Sequence, residues 1–208
     1  MPKIQKKVAG MDRKLSSKGF TLAEVLLALA ILGVIAVFTI PKVLISQQNS
    51  KKAAIMKEAI SMMAQLTWEG TVTGELRPDT AADYYFSKIN AVKACYDDPD
   101  GNSCWKTSQP AVGGTIESWQ SAYILHNGAQ IGGIQNSSAA NPYWFFILDW
   151  NGEAGPNVEG DDQIMLGINF VDGGAPPYGY TGPSKKGTIS PLDGYPVSQK
   201  MYEQLFGS

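Results

Sequence analysis

The chain has 208 residues, 44% hydrophobic and 17% charged, which is enough for one packed domain with an attached segment and too apolar for wholesale disorder. Its formal net charge of −2 hides an asymmetry: residues 1–19 hold Lys3, Lys6, Lys7, Arg13, Lys14 and Lys18 against Asp12 alone, leaving 11 bases and 18 acids in the rest. An acidic body excludes nucleic acid as a main partner, because phosphate binding needs a basic surface.

From Phe20 to Ile40, 21 residues carry a single charge, Glu24. As a helix this run spans about 30 Å, the thickness of bilayer hydrocarbon. The basic block precedes it, so the positive-inside rule places the N-terminus in the cytoplasm and everything after Leu44 beyond the membrane. A secretory signal has a shorter apolar core with a small-residue cleavage site behind it; here the small residue, Gly19, comes first. Pro41 follows the run, yet helical periodicity continues. Ile55, Ala59, Met62 and Leu66 recur at spacings of 4, 3 and 4, with Met56, Ile60 and Met63 beside them and Lys57, Glu58, Gln65 and Glu69 opposite. One helix is expected from Phe20 to about Trp68, kinked or loosened at Gly33 and Pro41 and stopped near Gly70.

A shorter helix is expected near Thr80 to Val92, capped by Asp79 or Thr80. Cys95 and Cys104 are the only cysteines. Outside the cytoplasm such a pair reads as a disulfide closing a short loop; two free thiols or half a metal site are the alternatives, and the chain has one histidine to complete a site. Strand patterns follow. AYILHNGAQIGGI places Asn127-Gly128 between apolar residues, a hairpin signal. YWFFILDW reads as a central strand, and DQIMLGINF alternates with Ile164, Leu166, Ile168 and Phe170 on one face. These make an antiparallel sheet of about four strands. The Gly-, Pro- and Tyr-rich tail from Val171 reads as irregular. The fold class is α+β, a long helix packed on a small antiparallel sheet.

Asp149 to Asp162, DWNGEAGPNVEGDD, collects acids, asparagines and glycines. Hard cations take six to eight oxygens from such groups. It is not an EF-hand, since Ala154 stands at the glycine position and the twelfth place lacks Glu. The alternative is an ordered loop held by Asx-turns with solvated acids. Asp98, Asp100 and Asn102 form a smaller acidic set inside the cysteine loop. His126 flanks a turn with no nucleophile and orienting acid to make a triad. No constellation for catalysis appears, and the chain is expected not to be an enzyme.

The segment KGFTLAEVLLALAILGVIAVFTIPKVL resembles the N-terminus of type IV pilins and type II secretion pseudopilins. The resemblance rests on a basic leader ending in Gly19-Phe20, on Thr21-Leu22, on Glu24 as the fifth residue after the glycine, and on Pro41 as the twenty-second. It covers about 50 residues; a 19-residue leader is long, and a start at Met11 would give the usual length. The resemblance implies that a prepilin peptidase cuts between Gly19 and Phe20 and methylates the Phe20 amine. It implies residues 1–19 as cleaved leader, 20–41 as transmembrane and polymerisation helix, 42–70 as its amphipathic continuation, and 71–208 as a globular domain outside the cytoplasm. Glu24 would meet the Phe20 amine of a neighbouring subunit, each charge removing the other's burial penalty; the alternatives are that it neutralises its own chain's amine or is a membrane-edge acid snorkelling to water. Gly33 to Pro41 would be extensible, a simple bend being the alternative. The partners implied are further copies or related subunits, the peptidase, the assembly platform of a bacterial inner membrane, and membrane lipid. The acidic loop resembles the calcium loop of major pseudopilins, with Asp149, Asn151, Asn157, Asp161 and Asp162 as its ligands; no cofactor is otherwise required. The expected function is a structural subunit of a pilus-like or pseudopilus filament, periplasmic or extracellular once assembled. The alternative is a membrane-anchored binding module, for example for carbohydrate, that does not polymerise.

Overall fold

The computed structural model describes residues 19–96, 104–105, 121–134, 143–170, 187–191 and 195–207. The leader, the acidic stretch Asp97–Asn102 and the first part of the tail lie outside them. The chain divides into two units, Met1–Ser46 and Gln47–Ser208.

Helix α1 (Leu22–Thr73) belongs to both. In the first unit it runs through Gly33 and Pro41 without interruption. Its large apolar side chains, from Leu22 to Ile45, are all exposed, so none of the described residues buries them. In the second unit Ile55, Met56, Ala59, Ile60, Met63, Thr67 and Gly70 form one buried stripe. That is most of the expected face, with Met62 and Leu66 half-buried at its edge, extended by a polar residue: Thr67 is tolerated because its hydroxyl donates to Met63 O (2.6 Å) and pairs with Tyr85 Oη (2.6 Å). The helix ends at Thr73, three residues past the expected stop at Gly70, and Gly74 follows with a φ of +75° that suits a left-handed C-terminal cap.

A 3₁₀ turn (Pro78–Thr80) leads into α2 (Ala81–Lys88). Thr80 is the N-cap residue, but its side chain makes no capping bond and reaches back to Glu75 O instead (3.3 Å). Six antiparallel strands follow in chain order, β1 (Ala91–Cys95), β2 (Ser121–Leu125), β3 (Gln130–Ile134), β4 (Tyr143–Asp149), β5 (Gln163–Asn169) and β6 (Ile189–Pro191), each beside the next. Among the described residues the expected four strands are thus six. β1 takes the end of what reads as a helix to Val92, because its backbone pairs with β2, Cys95 opposite Ala122. The tail supplies β6 and a helix, α3 (Pro196–Phe206), that packs Met201 and Leu205 into the core.

Phe146, Leu148, Ile164, Leu166 and Ile168 face the α1 side, with Tyr85, Tyr123 and Ile131. The opposite face is also covered: Ile147 and Met165 pack with Cys95, Cys104, Trp105 and Ala122. A strand buried on both faces reads as a continuous apolar run, which is why YWFFILDW shows no alternation. The disulfide Cys95–Cys104 is formed, with Cα atoms 6.0 Å apart, and anchors the second cluster.

Candidate assembly and processing site

Gly19 and Phe20 precede the first turn of α1, in non-helical backbone. A Cβ built on Gly19 would meet nothing within 4 Å, and Phe20 is 87% exposed. The expected cleavage point is therefore open on the protein side.

The first turn answers why an acid stands at position 24. A helix start leaves four backbone N–H groups without partners. Thr21 and Glu24 satisfy two of them reciprocally. Glu24 N donates to Thr21 Oγ1 (3.2 Å), and Thr21 N donates to Glu24 Oε2 (2.8 Å). The Thr21 hydroxyl also donates to Oε2 (2.9 Å). This is a capping box, and T-L-A-E ahead of an apolar run is its sequence signature. All the bonds Glu24 accepts end on Oε2, leaving Oε1 for another partner. Cleavage would free an amine on Phe20, one residue before the cap.

The acidic loop between β4 and β5 is built around two buried carboxylates. Asp149 Oδ1 accepts from the backbone N–H groups of Asn151 (3.1 Å) and Gly152 (2.8 Å), and Oδ2 from Gln163 Nε2 (2.9 Å). Asn157, with its amide nitrogen turned inward, donates to Asp149 Oδ2 (2.9 Å) and Gly152 O (3.0 Å). Asp162 accepts from the N–H groups of Asn157 and Val158, both at 2.6 Å. Burial raises the Asp149 pKa to about 6, opposed by the Gln163 bond. Of the five residues expected to hold calcium, four gather here: Asp149, Asn151, Asn157 and Asp162. Asp161 is exposed, and its backbone carbonyl accepts from Lys52. Every carboxylate oxygen of the buried pair already faces an N–H donor, the pattern of the Asx-turn alternative. Among the described residues no group of three or more His, Cys, Asp or Glu side chains could hold a metal ion.

The loop also does what the sequence did not announce. Glu159 Oε1 accepts from Ser198 N (3.0 Å) and Ser198 Oγ (2.8 Å), capping the first turn of α3 from outside, while Ser198 Oγ accepts from Met165 N (3.1 Å). The loop thus holds α3 through Glu159 and α1 through Asp161. His126 lies in the β2–β3 turn, exposed, with Nε2 3.3 Å from Asn90 Oδ1.

A family model described as the prokaryotic N-terminal methylation motif matches residues 14–40. This is the signature of type IV pilin and pseudopilin prepilin-type signals, and it spans Gly19, Phe20, Thr21, Glu24 and Gly33. Neither a curated protein nor a solved structure matches the chain.

Proposed function

We propose that the protein is a filament subunit, processed by prepilin peptidase at Gly19-Phe20 and polymerised through α1. The single observation that carries this is the methylation motif over residues 14–40, opening a helix whose apolar side chains the protein leaves unburied. A helix apolar all round needs lipid or neighbouring helices. α1 is long and apolar enough to cross a membrane. The bilayer would hold it before assembly and other subunits afterwards. In the filament Glu24 keeps its cap on Thr21 through Oε2 and offers Oε1 to the Phe20 amine of a neighbour. The role is structural.

The test is the intact mass and N-terminal residue of the protein from host membranes. A chain beginning at Phe20 and heavier by one methyl group is expected; a retained leader would remove the amine that Glu24 needs and overturn the proposal. Calcium in the acidic loop remains a separate reading, which the resemblance to major pseudopilins supports and the satisfied carboxylates count against. A calcium titration followed by thermal unfolding separates the two, since binding raises Tm with the logarithm of calcium concentration over Kd.

A further inference from the structure

The inward face of α1 carries a charge. Lys52, Met56, Ala59 and Met63 follow one another at spacings of 4, 3 and 4, so Lys52 stands at a core-facing position of the helical period. It is half-buried, while its neighbours Lys51 and Lys57 are exposed. Its amine goes to the loop between β4 and β5, where it donates to Asp161 O. Burial lowers the pKa of this amine, and the charges of Asp161 and Asp162 oppose that shift.

The loop lacks a cation of its own. From Asp149 to Asp162 the sequence has five acids, Asp149, Glu153, Glu159, Asp161 and Asp162, and no base. The groups that hold Asp149 and Asp162 are neutral backbone N–H groups and side-chain amides. Glu159 is held by the N–H and hydroxyl of Ser198. Such bonds fill lone pairs and leave the negative charge uncancelled. Calcium fits poorly here. It takes six to eight oxygens around one point. Both oxygens of Asp149 and both of Asp162 already face N–H donors. An ammonium asks for less, since it offers three donors and a backbone carbonyl accepts one of them. A groove of about 310 Å³ runs beside Lys52, walled by Gly160 of the loop and by Met201 and Leu205 of α3, so a small solute can reach the amine.

We propose that the acidic loop is a cation site filled from within. The Lys52 ammonium is its resident cation, in the role that the resemblance gives to calcium, and it fastens the loop to α1 together with α3, whose first turn the loop caps. The proposal concerns the second unit alone and does not depend on polymerisation.

The test is amide hydrogen exchange of the unassembled full chain in detergent micelles with chelator, read on the peptide covering 149–163 and, for comparison, on β2. Lys52→Met keeps the length and loses the charge. It should speed exchange in the loop by about tenfold, the worth of one charged hydrogen bond, and leave β2 at the wild-type rate. Lys52→Arg keeps the charge and should stay within about threefold of wild type. Lys57→Met, on the exposed face, should change nothing. Lys52→Ala leaves room beside the groove. There n-butylammonium should slow loop exchange back towards wild type, and n-butanol at the same concentration should not. Millimolar calcium, with the chelator omitted, should leave the wild-type loop unchanged. Wild-type loop exchange in Lys52→Met would overturn the proposal, as would equal effects of n-butylammonium and n-butanol on Lys52→Ala. Slower exchange of the wild-type loop in calcium would overturn it too, because the loop would then take a metal with Lys52 in place. If Lys52→Met loosens β2 along with the loop, Lys52→Arg and the n-butylammonium rescue still separate a lost charge from a lost fold.

Discussion

At the scale of the residue, Asp149 illustrates how one carboxylate organises a loop. It is fully buried and accepts from Asn151, Gly152 and Gln163. Asp149→Ala strands these donors in a buried site and should cost about 3 kcal/mol, read as a lower midpoint in urea unfolding. Asp149→Asn keeps an acceptor for the backbone pair and should cost less. The acid also titrates. Burial raises its folded-state pKa from 3.8 to about 6. The folded protein therefore holds a proton that the unfolded chain releases between those values. Its contribution to stability is whole below pH 3.8, is lost as pH rises through about 6, and is absent at neutral pH. Between about pH 7.5 and 5, in chelator, the wild-type Tm should gain relative to that of Asp149→Asn. Parallel shifts in both proteins would assign the titration to another group. Sequence reading found Asp149, Asn151, Asn157 and Asp162 as a cluster but not who satisfies them, since Gln163 and the Asn157 backbone carry no special composition. Thr21 enters the sequence reading only as part of the N-terminal motif, while the T-L-A-E spacing already carries its capping role.

At the scale of the element, the end of α1 is clamped by α2. Tyr84 Oη donates to Leu66 O (2.8 Å), Tyr85 Oη meets Thr67 Oγ1, and Gly70 lies under the Tyr84 ring. A Cβ on Gly70 would stand 2.5 Å from Tyr84 Cζ and 2.6 Å from Leu76 Cβ. Gly70→Ala sets two terms against each other. Helix propensity favours alanine by about 1 kcal/mol, and overpacking costs about 1–3 kcal/mol. The ring is held by its hydroxyl bond and cannot swing away freely, so net destabilisation and a lower Tm are expected. A raised Tm would mean that Tyr84 yields. Local pattern carried α1 through its helical period and β4 through its unbroken apolar run, whereas β5 was found as a strand by an alternation that its burial on both faces does not follow, with Met165 packed in the second cluster. It failed at β1, where Ile89, Val92 and Cys95 fit a helical period and only pairing with β2 selects a strand. α3 was readable from Pro196 at its start and Val197, Met201 and Leu205 at i, i+4 and i+8, but the Gly- and Pro-rich context obscured it.

At the scale of the whole molecule, the two units face opposite physical problems. The second closes a core on both faces of its sheet; the first has no core and depends on its surroundings. Glu24 is where that dependence becomes specific. A carboxylate in hydrocarbon costs several kcal/mol unless paired, and the capping box meets only part of the need, through Oε2. Glu24→Ala removes the cost along with the pairing, so membrane insertion and cleavage at Gly19-Phe20 should proceed as in wild type. Assembly should not. On the function proposed above, the Phe20 amine of each neighbour would then enter the helix bundle with no carboxylate to meet it. Sheared filament yield should fall by about tenfold or more, equivalent to about 1.4 kcal/mol or more at each subunit contact. Thr21→Val separates the two roles of the acid. It deletes the hydroxyl and keeps the carboxylate, so helix capping weakens by about 1 kcal/mol while the amine retains its partner. A filament yield between those of wild type and Glu24→Ala is therefore expected. If Thr21→Val and Glu24→Ala fall equally, Glu24 acts through the cap alone; if Glu24→Ala assembles like wild type, polymerisation does not run through this acid.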